Sequence, residues 1–264
     1  MSNEILIDSE RRDGVLWLWL NRPAVNNAFD DRVIAQLTAA LDAAATDDGV
    51  RAVVLGGRGK HFSAGADFHW MQRMVELDHA GNVADAMELA RLMRTLHDLP
   101  KPTLALVQGA AYGGAVGLAC CCDIVLAADN ATFCLSEVKL GLIPAVISPY
   151  VIRAMGTRQA TRWFLSAEVF DARQAQAIGV AHEVVPADDL PARAQALLAA
   201  LRQNGPQAVR AAKLLVHDVA GRTIDNELMQ LTAERIAGIR VGAEGQEGLR
   251  AFLAKRQPAW RTLE

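Results

Sequence analysis

Three short segments of the chain hold residues whose types and spacing bear on chemistry. The first runs from Gly56 to Asp67 and reads GGRGKHFSAGAD. It crowds glycine and small residues between an apolar run and a helical pattern that begins near Asp67. Small side chains let a ligand approach the backbone, and the first N–H groups of a helix have no internal partner, so such a turn suits an anion or a developing negative charge. A phosphate loop of the Walker kind does not fit, because Gly59-Lys60 is followed by His61. The second segment, Gln108 to Gly117 (QGAAYGGAVG), again ends an apolar run and opens a helical one. Its glycine spacing does not match a dinucleotide fingerprint. Two turns of this kind can supply the two converging N–H donors of an oxyanion hole. Ordinary strand-to-helix turns, or a close helix–strand contact, would need the same small residues. The third segment, Phe133 to Pro144 (FCLSEVKLGLIP), sets Glu137 in an apolar stretch. There desolvation would raise its pKa towards that of a usable general acid or base. A surface glutamate paired with Lys139 is the plainer reading of the same residues.

The elements that must carry these segments alternate. Val15–Leu20, Ala52–Leu55, Thr103–Val107, Ile124–Ala127 and Val180–Val185 read as buried strands bounded by turn residues. Between them Val33, Ile34, Leu37 and Leu41 repeat at helical spacing after Asp30-Asp31. Leu89, Leu92, Met93 and Leu96 do the same until Pro100 and Pro102. Strands separated by helices predict an α/β architecture with mainly parallel pairing. Beyond Asp188 only helical patterns remain, led by Leu190, Ala194, Leu197, Leu198 and Leu201. The reading is an α/β core over 1–186 and a helical region over 187–264.

Composition excludes several classes. Formal net charge is −3, so no strong field draws the chain to nucleic acid or an anionic membrane. No apolar run approaches the roughly 20 residues that cross a bilayer. Met1 to Asp13 is charged and unlike a secretory or organelle leader, so cytoplasmic residence is the expectation. Cys120, Cys121, Cys122 and Cys134 do not have zinc-ligand spacing and read as buried thiols. No G-x-S-x-G elbow and no H-E-x-x-H cluster is present, which disfavours a serine hydrolase and a metal site.

The three segments, in this order, resemble the crotonase (enoyl-CoA hydratase/isomerase) superfamily over essentially the whole length. The residues that carry the resemblance begin with Asn21-Arg22-Pro23 and Asn27-Ala28. FSAGAD from Phe62, GAAYGGAVGLACCCDIVLA from Gly109 and SEVKLGLIP from Ser136 follow, and EGLRAFLAKRQPAW from Glu247 ends the match. Within the superfamily the chain is most similar to bacterial hydratases of 3-methylglutaconyl-CoA and of the longer isohexenylglutaconyl-CoA, which serve leucine or acyclic terpene breakdown.

The resemblance implies a crotonase-like spiral of ββα units with a helical C-terminal domain, assembled as trimers or dimers of trimers. It implies oxyanion-hole N–H groups on Ala66 and Gly114 and a catalytic carboxylate on Glu137. It places Ala28, Ala64, Asp67 and Gly113 along the coenzyme A, and it nominates Phe252 and Lys255 of the C-terminal helix for the same ligand. No separate cofactor is implied, since coenzyme A enters with the substrate. The expected partners are an acyl-CoA and further copies of the chain, with neither nucleic acid nor membrane. Typical hydratases of the family carry a second glutamate twenty positions before the first; here that position is Gly117. The chain therefore looks like a one-glutamate member, a hydratase or alternatively a Δ3-Δ2 enoyl-CoA isomerase. For the distal carboxylate of a glutaconyl ester, His69 and Arg73 are candidate partners, and Trp70 is a candidate wall of the acyl pocket.

Overall fold

The computed structural model describes residues 4–261 and divides into two compact units. One comprises the described residues up to Leu99 together with Thr103–Ala194. Its main sheet has six strands: β1 (Ile7–Arg12), β2 (Val15–Leu20), β3 (Ala52–Gly57), β4 (Thr103–Val107), β6 (Ile124–Ala128) and β9 (Glu183–Val185), in the order β1-β2-β3-β4-β6-β9. Only β1 with β2 is antiparallel; every later neighbour is parallel. Residues of β3 and β4 are buried along their whole length, which is why those runs are apolar without alternation. A second sheet joins three short strands, β5 (Ala110–Tyr112), β7 (Thr132–Cys134) and β8 (Phe170–Asp171).

Helices α1 (Asp31–Thr46), α2 (Phe68–Val75), α3 (His79–His97), α4 (Gly114–Cys121), α5 (Ser148–Ser166) and α6 (Ala172–Ala177) cross between the strands. Asp30 starts α1 by accepting from the N–H groups of Arg32 and Val33, and the helix buries Val33, Ile34, Leu37 and Leu41 against the sheet. This is the predicted spacing. Helix α4 is buried nearly all round, so it shows no amphipathic stripe. Cys121, Cys122 and Cys134 are buried as expected, and all four cysteines are reduced thiols.

Two expectations need correction. The run Val180–Val185 is strand only from Glu183, because the N–H groups of Val180 and Ala181 both close α6 by donating to Ala175 O. Strand β1 adds to the set read from the sequence: four of its six residues are exposed, as suits a charged edge strand.

The second unit holds Pro100–Pro102 and the residues from Gln195 on. Helix α7 (Leu190–Arg202) spans the boundary, and α8 (Pro206–Val219), α9 (Asn226–Val241) and α10 (Ala243–Leu253) follow. Glu244 caps α8, its carboxylate accepting from Gln207 N at 3.0 Å and Ala208 N at 2.8 Å. No helix among the described residues is long and apolar enough to cross a membrane.

Candidate active site

Local hydrogen bonding of the loop between β3 and α2 singles out one residue. Phe62 N donates to Gln108 O, Ser63 N to Ala110 O, Ala64 N to Asn26 O, Gly65 N to Ser63 Oγ and Asp67 N to Phe29 O. Ala66 N–H, in the middle of this series, finds no acceptor among the described residues. The loop after β4 does the same. Tyr112 N donates to Ser63 O and Gly113 N to Cys134 O, while Gly114 N–H, the first of α4, has no acceptor among them. Orphan N–H groups are rare away from helix starts and ligand sites.

The two loops lie side by side. Ser63 pairs with Ala111 as in a parallel sheet, and His61 Nδ1 accepts from Ala110 N at 2.9 Å. Gly65, at φ 96°, passes so close to Tyr112 that a Cβ would stand 2.8 Å from its carbonyl oxygen, which explains the need for glycine. Phe29 bridges both loops. Its N–H and C=O pair with Gly65 O and Asp67 N on either side of Ala66, and its ring leaves no room for a Cβ on Gly114. Both orphan N–H groups border one cavity of about 690 Å³, whose apolar wall includes Met74, Leu89 and Ile147.

Glu137 borders the same cavity from a short 3-10 turn, Glu137–Leu140. The side chain is half-buried; its Oε2 is enclosed and accepts no hydrogen bond. Its Oε1 lies against the Gly113-Gly114 turn, 3.4 Å from where a Cβ on Gly113 would be. Desolvation pushes this carboxyl above the usual glutamate range, and its own N–H offsets only part of the rise. Lys139 does not pair with it; that ammonium lies 3.9 Å from Cys134 Sγ.

The remaining sequence candidates separate. Ala64 and Trp70 line the cavity, and Trp70 Nε1 donates to Asp85 Oδ1 at 2.9 Å. His69 and Arg73 do not. Helix α2 turns Trp70, Met71 and Met74 inwards, which sends His69 and Arg73 to the opposite, exposed face. His69 Nδ1 meets Gln72 Oε1 at 3.2 Å, and Arg73 pairs with Asp31. Neither side chain is on the cavity lining that Trp70 joins. Asp67 is buried outside the cavity lining and serves as the cap of α2, accepting from His69 N and Trp70 N while Arg22 Nη2 donates to it at 3.0 Å. Burial works to raise its pKa, but those N–H groups and the guanidinium outweigh it and hold the carboxyl below the usual range. Ala28 is also absent from the lining; its carbonyl accepts from Arg22 Nη1. Phe252 and Lys255 belong to the second unit, where both are exposed at the end of α10.

Position 117 is not an open gap. A Cβ on Gly117 would stand 2.2 Å from Ile147 Cγ2, so an isoleucine facing the cavity fills the space a side chain there would need. Sequence reasoning also passed over Phe29, Asp85 and Ile147, which lie in ordinary apolar or helical runs and become part of the site only through the fold.

Comparison with known proteins follows the same lines. The pattern of the enoyl-CoA hydratase/isomerase family matches residues 10–262. A 2,3-dehydroadipyl-CoA hydratase of Escherichia coli is 34% identical over 98% of this chain and 99% of its own. A 1,2-epoxyphenylacetyl-CoA isomerase of the same organism is 35% identical over 93% and 94%. Among solved structures, an enoyl-CoA hydratase from Shewanella pealeana superimposes with a TM-score of 0.94 at 48% identity, covering 97% of this chain and 96% of the other.

The site geometry has consequences for stability. A carboxyl whose folded pKa is raised contributes stability below its unfolded value, about 4.3, and loses it as pH rises through the folded value. Glu137→Gln should therefore melt higher than the wild type at pH 8, with the gap closing towards pH 4.5 in parallel thermal scans. Gly117→Glu should lower the urea midpoint by overpacking, a cost of about 1–3 kcal/mol, and Ile147→Ala in the same chain should recover part of it.

Proposed function

The chain belongs to the enoyl-CoA hydratase/isomerase family, and on that premise we propose that it adds water syn across the α,β double bond of an enoyl-CoA thioester. The observation that carries this reading is that Ala66 and Gly114, whose N–H groups find no acceptor among the described residues, border one cavity with Glu137, whose Oε2 accepts no hydrogen bond among them. A thioester oxygen held by both N–H groups is polarised, and the bonds strengthen as negative charge develops in the enolate. Water attacking the β-carbon gives its proton to Glu137, which returns one to the α-carbon on the same face. Glu137 thus acts first as base and then as acid, and its raised pKa suits it to both. Coenzyme A is the handle of the substrate, with Ala64 and Gly113 along its thioester arm. Ala28, Asp67, Phe252 and Lys255 remain the family-based assignments for the rest of that ligand, Asp67 through its main chain because its carboxylate is engaged.

For the acyl group, the sequence resemblance supports a glutaconyl-type ester, 3-methylglutaconyl-CoA or isohexenylglutaconyl-CoA. A relative that by name acts on dehydroadipyl-CoA, whose acyl chain also ends in a carboxylate, supports the same class. The residues lining the cavity include no Lys, Arg or His, so neutral donors such as Asn82 and Ser136 are the side chains there that could meet the carboxylate end of such an ester. A second reading, a Δ3-Δ2 isomerase, is favoured by one observation: Ile147 occupies the space beside Gly117, leaving Glu137 without a second carboxylate at that position.

Turnover of a 2-enoyl-CoA in heavy-oxygen water separates the two. The hydratase places the label in a 3-hydroxyacyl product, and Glu137→Gln should reduce that incorporation by at least about a hundredfold while binding acyl-CoA with little change. Label-free double-bond migration would replace this reading with the isomerase, and full activity in Glu137→Gln would remove Glu137 from the chemistry.

A further inference from the structure

The Ala66 N–H has no side chain of its own to aim it; its direction is that of the loop, and the loop is tied at two points to Phe29. Phe29 N donates to Gly65 O and Phe29 O accepts from Asp67 N, both at 2.9 Å, so the strip of main chain at Phe29 sets the plane of the two peptides around Ala66. Phe29 is in turn flanked on both sides by contacts of one largely enclosed cation, Arg22. The Arg22 side chain is only 15% exposed. Its Nη1 donates to Ala28 O at 2.6 Å and lies 3.7 Å from Asp30 Oδ2, and its Nη2 donates to Asp67 Oδ2 at 3.0 Å. The two acceptors belong to the residue before Phe29 and the residue after Ala66, and the ion-pair partner Asp30 is the residue after Phe29. The two carboxylates are themselves the caps of α1 and α2. Arg22 is fixed at its own main chain as well, where its N–H donates to Asn27 Oδ1 and its carbonyl accepts from Asn27 N, both at 2.9 Å. Asn27 is 2% exposed and sends its amide to Arg58 O and His61 O at the start of the same loop.

We propose that Arg22 is a positioning residue for the reaction: its planar guanidinium locks Ala28, Asp30 and Asp67 around Phe29 and so aims the Ala66 N–H into the cavity. The proposal rests on the reading that Ala66 and Gly114 together bind the thioester oxygen. A guanidinium presents several donors in a fixed fork, whereas an ammonium is a compact point charge on a flexible stem. Lysine at this position keeps the charge facing Asp67 and loses the simultaneous hold on Ala28 O and Asp67 Oδ2. The Gly114 donor, borne on α4, stays where it is, so the loss falls on one of two hydrogen bonds to the carbonyl. Asp30 also accepts from the exposed Arg32, whose Nη2 is 3.3 Å from Oδ2, whereas Asp67 has Arg22 as its cation; the pair of Arg73 with Asp31 is exposed on both sides and reaches no residue of the cavity lining.

The test reads the carbonyl directly. Hexanoyl-CoA labelled with carbon-13 at the thioester carbonyl binds without reacting, and its C=O stretch is measured by infrared difference spectroscopy on wild type and Arg22→Lys. In the wild type the band should lie below its position in free hexanoyl-CoA. In Arg22→Lys it should move back towards the free position, while kcat for a 2-enoyl-CoA falls about tenfold or more and KM stays within about twofold. An unshifted variant band with unchanged kcat overturns the assignment of Arg22. A wild-type band already at the free position overturns the carbonyl-binding reading itself, and the Arg22 proposal with it. Should Arg22→Lys not yield folded protein, Asp67→Asn keeps an oxygen to cap α2 and removes the charge facing Nη2. It should show the same two changes in smaller measure, and its having neither overturns the proposal.

Discussion

The constraint on which the rest of this structure depends is that two main-chain N–H groups must stay unpaired in one cavity. An unpaired amide is costly where water cannot reach it, and here Ala66 is exposed and Gly114 half-buried at the cavity. Every neighbouring donor on the same loop is satisfied, so that between Phe62 and Asp67 the Ala66 N–H alone lacks an acceptor among the described residues. Hydrogen-bond donors set in advance at the place where charge develops need no reorganisation during a reaction, which is the basis of the proposed role of these two groups.

The carboxylate opposite follows the same logic. Glu137 is kept half-buried with an unsatisfied oxygen, which opposes folding and makes the group a better proton carrier near neutral pH. A salt bridge to Lys139 would have removed both the strain and the reactivity, and the structure directs that ammonium to Cys134 instead. Gly117 and Ile147 complete the picture: apolar packing closes the place where a second carboxylate would stand. The other carboxylate on the lining, Asp85, accepts from Trp70 Nε1, which leaves Glu137 as the one facing the Gly113-Gly114 turn.

Much of the architecture was legible in the residues. The apolar runs of β2, β3, β4 and β6, the heptad-like spacing of α1 and the switch to helices after Asp188 all have local physical signatures. The fold is the crotonase-like α/β arrangement that the resemblance implied. The short strands β5, β7 and β8 were not legible, since two or three residues carry no period. Of the site, the two small-residue turns and Glu137 stood out by composition. The bracing by Phe29, the wall at Ile147 and the pairing of Trp70 with Asp85 depend on contacts between distant segments. His69 and Arg73 looked suitable by charge, and only the rotation of an eight-residue helix decided against them.

The most direct measurement of the central claim is a crystal structure of the Glu137→Gln protein with a 2-enoyl-CoA bound. The account predicts the thioester oxygen about 2.7–3.1 Å from both Ala66 N and Gly114 N, with the side-chain amide introduced at position 137 facing the reacting carbons. A thioester oxygen directed to solvent, or held by one amide and not the other, would contradict it.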